Sequence, residues 1–134
     1  MEITTTVSRS DGKVPVKIFH LKGDLDMKSH QDLENRARDE FADGTRHAIL
    51  DLTEVRYISS AGLRAIHSIF NFLREGDSSE VDALVHKGMR NGAYKSKHLK
   101  LANPSKSVLQ VITMAGYDMF MDIHPDVESA VRSF

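Results

Sequence analysis

The chain has 134 residues, a length that suits one domain built on one core. It is 40% hydrophobic and 28% charged with a formal net charge of −1, so there is no overall electrostatic case for nucleic acid or an acidic membrane surface. With no cysteine, disulfides, thiolate metal sites and cysteine nucleophiles are excluded together, which is compatible with a reducing compartment.

The opening MEITTTVSRSDGK has neither the basic start nor the apolar core of a leader. No apolar run approaches the length of a membrane span, so a cytoplasmic location without a membrane or nucleic-acid partner is expected. Residues 2–9 are rich in β-branched side chains and predict a first strand. Asp11-Gly12 is a turn signal leading to a second strand over Val14 to Leu21, with Pro15 at its start or on an edge. Asp24 and Asp26 follow in KGDLDMKSH. Two carboxylates at this spacing suit either acid/base or metal chemistry, or a turn opening a helix, and turn chemistry favours the latter. Ser29 and Asp32 resemble a capping box, with Asp for the usual Glu. Leu33, Ala37 and Phe41 then mark the buried stripe of a helix over about 29–42, and Gly44 is its C-terminal stop.

The central stretch, Ala48 to Arg74, reads AILDLTEVRYISSAGLRAIHSIFNFLR. Ala48, Ile49 and Leu50 suit a strand covered on both faces, near residues 46–52. Asp51 and Thr53 bond readily to nearby backbone and favour a turn. Leu63, Ile66, Ile69, Phe70 and Leu73 have helical spacing, and Ser59 or Ser60 stands at the N-cap. Gly62 in the first turn leaves room for another group to approach closely. A serine hydroxyl here can satisfy an orphan backbone N–H, or it can carry a phosphate that meets free N–H groups and the positive end of the dipole. The added charge of about −1.5 to −2 switches a contact surface.

Residues 75–97 form a long connection, acidic in its first half and basic in its second, which predicts a solvated insert with a partner contact as the competing reading. His98 to Ala102 predicts a strand, and Asn103-Pro104-Ser105 a turn and N-cap. Val108, Leu109, Ile112 and Ala115 stripe a further helix that Gly116 ends. Met119, Phe120, Met121 and Ile123 predict a short final strand, and Pro125-Asp126 opens a last helix carrying Val127, Ala130, Val131 and Phe134.

DLTEVRYISSAGLRAI resembles the signature of the STAS family, the anti-sigma factor antagonists and their relatives. Asp51, Leu52, Val55, Ser60, Ala61, Gly62 and Leu63 match the pattern. Thr53 replaces the commoner Ser, and Ser59 stands where the family often has Asp. Gly23-Asp24-Leu25-Asp26 and the tail from LKLANPS also resemble the family, so the likeness spans the chain except for the insert. It implies one α/β domain over residues 1–134: a central mixed sheet of about five strands with helices mainly on one face, and an atypically long insert at about 75–97. The family's phosphorylated serine falls on Ser60, with Ser59 as a second acceptor. The resemblance implies a partner-binding surface of Asp24, Ser59, Ser60, Ala61, Gly62 and Arg64.

No pair among the seven histidines has metal-ligand spacing, and there is no phosphate-binding glycine loop and no Gly-x-Ser-x-Gly elbow. No cofactor or metal is expected. The resemblance implies a binding module rather than an enzyme. When unmodified it would bind an anti-sigma factor serine kinase with a kinase-type ATP-binding fold and free the sigma factor. Phosphorylation of Ser60 would reverse this, and a PP2C-like phosphatase would restore it. The alternative is a STAS scaffold in another signalling or transporter-associated assembly, with Ser60 only a cap. A hydrolase using Ser60 is a third class.

Overall fold

Strand and helix alternate along the chain, and parallel strands must be joined by crossovers. The structure, a computed structural model, describes residues 2–9, 14–73, 98–119 and 121–134. These form β1 (Glu2–Arg9), β2 (Pro15–Leu25), α1 (His30–Ala42), β3 (Ala48–Ile58), α2 (Ser60–Leu73), β4 (Leu99–Ala102), α3 (Lys106–Met114), a 3-10 turn (Tyr117–Met119), β5 (Asp122–His124) and α4 (Val127–Arg132). The sheet runs in the order β1-β2-β3-β4-β5. β1 is antiparallel to β2, and β2 to β5 are mutually parallel.

The connections from β2 to β5 all step the same way across the sheet. Crossovers of one hand stepping one way place their helices on one face. The main core lies there: Phe19, Leu21, Leu50, Leu52 and Leu101 from the strands meet Leu33 of α1, Ile66 and Phe70 of α2, and Ile112 of α3. The opposite face is covered by α4, whose Ala130 and Val131 pack on Val16, Ile18, Ile49 and Ala102. Helices thus lie mainly on one face of a five-stranded mixed sheet, as the resemblance to the STAS family implies. Ser105 and Asp126 cap α3 and α4, accepting from Val108 N–H at 3.3 Å and Ser129 N–H at 2.7 Å.

Four expectations need correction. β2 continues past Leu21 to Leu25, taking Gly23 and Asp24 into the strand, because β3 on its flank keeps pairing as far as Leu25 opposite Ile58. Asp51 and Thr53 make no turn. β3 runs on to Ile58, and between the pairs His20–Asp51 and Lys22–Glu54 it uses one residue more than β2, so the polar residues are absorbed as a bulge. Ser29 makes no capping bond to α1. Its hydroxyl donates to the Asp24 carbonyl at 2.7 Å and accepts from Asp26 N–H at 3.0 Å, fastening the end of β2 to the start of α1. The final strand is only Asp122–His124, because Met119 belongs to the 3-10 turn after Gly116, whose φ is +80°. The Asp11-Gly12 turn, Phe120 and the insert at 75–97 lie outside the described residues.

Candidate functional site

One residue, Ser59, links β3 to α2. Its N–H donates to the Leu25 carbonyl at 2.9 Å, and its own carbonyl accepts from Leu63 N–H at 2.9 Å. Its Oγ accepts from Gly62 N–H at 3.2 Å. Ser59 is therefore the N-cap that the sequence left shared between two serines. Ser60 is the first residue of α2 and is exposed, and among the described residues its hydroxyl has no partner. One serine holds the helix end and its neighbour is left free for chemistry.

Small residues bring the helix this close. Ala61 and Gly62 are buried, so they shape the site without offering side chains at its surface. A Cβ on Gly62 would collide with the Leu25 carbonyl oxygen and lie 2.9 Å from Leu25 Cγ. Asp24 pairs with Tyr57 in the β2–β3 register, which sets it beside the serine connection. Its Oδ1 lies 3.9 Å from Arg56 Nε. Arg56 is 83% exposed, and an open pair of this kind contributes under about 1 kcal/mol. Asp26 is turned into the β2–α1 turn, where N–H groups of Lys28 at 3.0 Å and Ser29 at 3.2 Å bond its Oδ1. The Lys28 N–H foremost holds the Asp26 carboxyl below its ordinary value. Asp26 therefore serves the turn. Among the described residues no group of three His, Asp or Glu is placed to hold a metal ion.

Among the described residues the serine end presents an open surface. A notch of about 70 Å³ lies beside it, lined by Arg56, Tyr57, Ile58 and the α3 residues Ser107, Val108 and Val111. Pockets for small molecules are usually about 300–1,000 Å³. A groove of about 480 Å³ between Val7, Val16 and the α1–β3 connection lies at the other end of the sheet. Near the serine, Tyr57 is 54% exposed and Met27 70% exposed. Large open side chains around a free hydroxyl suit a macromolecular partner better than a small substrate.

Sequence reasoning missed a polar chain on the sheet face that carries α4. Thr6 Oγ1 lies 3.0 Å from His20 Nε2, and His20 Nδ1 lies 2.7 Å from Asp51 Oδ2. Asp51 Oδ1 accepts from the Thr53 hydroxyl and, at 3.1 Å, from Thr53 N–H, while Asn103 Nδ2 donates to Thr53 Oγ1 at 3.0 Å. Burial pushes the Asp51 carboxyl up, but the Thr53 hydroxyl, the His20 ring and the Thr53 N–H together hold it below its ordinary value. A hydroxyl, an imidazole and a carboxylate in line resemble a hydrolytic triad. Here these bonds tie β1, β2 and β3 together. The signal for it was His20 facing Asp51 once two apolar strands are set in parallel register.

The family model of the STAS domain matches residues 7–79, more than half of the chain. The chain belongs to the STAS family. Solved structures share the STAS fold over nearly its full length. An anti-sigma factor antagonist from Mycobacterium paratuberculosis is 20% identical, with a TM-score of 0.67 over 98% of this chain and 93% of that one. The anti-sigma factor antagonist SpoIIAA in its unphosphorylated form is 16% identical, with a TM-score of 0.69 over 98% and 95%. A candidate anti-sigma factor antagonist from Thermotoga maritima is 18% identical, with a TM-score of 0.69 over 96% and 92%. No curated protein sequence matches. In this STAS domain the free serine stands at the carboxyl ends of β2 and β3, where open parallel sheets present their sites. Among the described residues no helix is long and apolar enough to cross a membrane.

Proposed function

We propose that this STAS domain is an anti-sigma factor antagonist that works by partner switching. The observation that carries the reading is the free, exposed hydroxyl of Ser60 beside a neighbour, Ser59, already used as the cap. In the unmodified state, the surface around Asp24, Ser59, Ser60 and Arg64, shaped by Ala61 and Gly62, binds an anti-sigma factor serine kinase with a kinase-type ATP-binding fold. The sigma factor is released. The kinase then transfers the γ-phosphoryl group of ATP to Ser60 Oγ, ADP leaves, and the hydroxyl proton passes to a base on the kinase. The added charge breaks the complex. A PP2C-like phosphatase hydrolyses the ester with water and releases inorganic phosphate. The chain is a substrate and a binding module, not a catalyst, and the cytoplasm is its place of action.

One observation favours a second reading. Ser59 supplies a neutral hydroxyl where family members often carry a carboxylate beside the acceptor. A STAS scaffold in another assembly, with no serine switch, has no need of that carboxylate.

The test is incubation with ATP and a candidate anti-sigma kinase, with the phosphate located by mass spectrometry in the wild type, Ser60→Ala and Ser59→Ala. Phosphate on Ser60 with loss of binding supports the switch. Stable binding without phosphate keeps the interaction module but sinks the switch, and failure to bind any such kinase favours the scaffold.

A further inference from the structure

We propose that Arg64 clamps a phosphate carried on Ser60, so that modification of the serine also withdraws this guanidinium from the docking surface. The inference rests on the reading of Ser60 as the phosphate acceptor. Ser60 opens α2, and Arg64 follows four residues on. Residues so spaced share one face of a helix, with Cβ atoms about 5–6 Å apart. Both are exposed.

Three features make Arg64 the partner. No carboxylate among the described residues pairs with it, whereas Arg56 already faces Asp24 at 3.9 Å. The first turn of α2 carries no acidic side chain that would compete for it. The order is the favourable one, because an anion placed four residues before a cation on a helix is bound better than the reverse. The flank of α2 is also firm here. The Tyr117 hydroxyl donates to the Leu63 carbonyl at 3.0 Å, and the Arg64 charge reaches that hydroxyl.

A guanidinium offers a planar fork of N–H donors, and a phosphate offers three acceptor oxygens. Their pairing changes what a partner meets. The bare surface presents a free cation, which suits an acidic group on the docking partner. The modified surface presents an internally neutralised pair with residual negative charge. One phosphate therefore removes an attraction as well as adding a repulsion.

The test uses the full chain with phosphoserine genetically encoded at position 60, so that no kinase is needed. The second ionisation of the phosphate is followed by phosphorus NMR as pH varies. An unpaired phosphoserine has this ionisation near about pH 6. Pairing with Arg64 favours the dianion and lowers the value. The substitution Arg64→Gln should raise it by about 0.3 unit, the size of an i,i+4 ion pair on a helix. Arg64→Lys should recover part of the shift, and Arg56→Gln should leave the value in place. An identical titration in wild type and Arg64→Gln overturns the clamp, as does a shift that follows Arg56 instead. A chain that carries the clamp yet is no substrate for any anti-sigma kinase refutes the switch reading alone.

Discussion

Gly62 lies against the Leu25 carbonyl with no space for a side chain between them. This contact seats α2 on β2 and so sets where Ser59 and Ser60 stand. Gly62→Ala should destabilise the domain by about 1–3 kcal/mol, since the obstacle is backbone and cannot rotate away. The helix-propensity gain of under about 1 kcal/mol does not offset that. Urea unfolding measures the loss, and an unchanged midpoint would show that α2 shifts freely.

The two serines should separate cleanly by substitution. Ser59→Ala loses the capping bond to Gly62 N–H and should cost about 1 kcal/mol of stability. Ser60→Ala touches no bonded group and should stay within about 0.5 kcal/mol of wild type. Phosphate incorporation should show the reverse pattern, abolished by Ser60→Ala and retained by Ser59→Ala. Thermal melts paired with intact-mass spectra read both quantities from the same samples.

The Asp51 carboxyl titrates below its ordinary value in the folded chain, held by Thr53 and His20. The ionised carboxylate therefore stabilises the fold above about pH 4, and that contribution is lost as pH falls through the lower, folded value. Asp51→Asn should be less stable than wild type near neutral pH, and the gap between their urea midpoints should narrow towards pH 3. A gap constant with pH would mean that the polar chain acts through shape alone.

His124 shows the opposite kind of burden. Among the described residues its buried Nε2 has no hydrogen-bond partner, and burial pushes the imidazole pKa down. Below about pH 6.5 the unfolded chain takes up a proton that the folded chain resists, so stability falls as pH drops through that window. His124→Phe removes the titrating group, and its unfolding midpoint should change less between pH 7.5 and pH 5.5. Histidine NMR signals give the direct check, with the His124 ring titrating below 6.5.

The order of elements and both sides of the core were legible in the chain because apolar spacing carries them. Leu63, Ile66, Ile69, Phe70 and Leu73 announce α2, and all but the half-buried Leu63 are buried. Local polar chemistry misled where tertiary pairing overrode it. Asp51 and Thr53 have turn character, yet flanking strands carry them through as a bulge. Ser29 has the spacing of a cap, but the nearby Asp24 carbonyl and Asp26 N–H claim its hydroxyl. At the site, the motif located the serines, but only coordinates assigned the cap to Ser59. The Thr6–His20–Asp51 chain was invisible because its members lie on three strands and meet only through register.

With Ser59 alone between β3 and α2, Ser60 has no slack behind it. Its backbone is anchored on one side by a strand in the middle of the sheet and on the other by a buried helix. Under the proposed switch, a phosphate on Ser60 would have no hinge through which to become movement. The domain would then act less as a lever than as a stamped token, with a partner reading whether the mark is present.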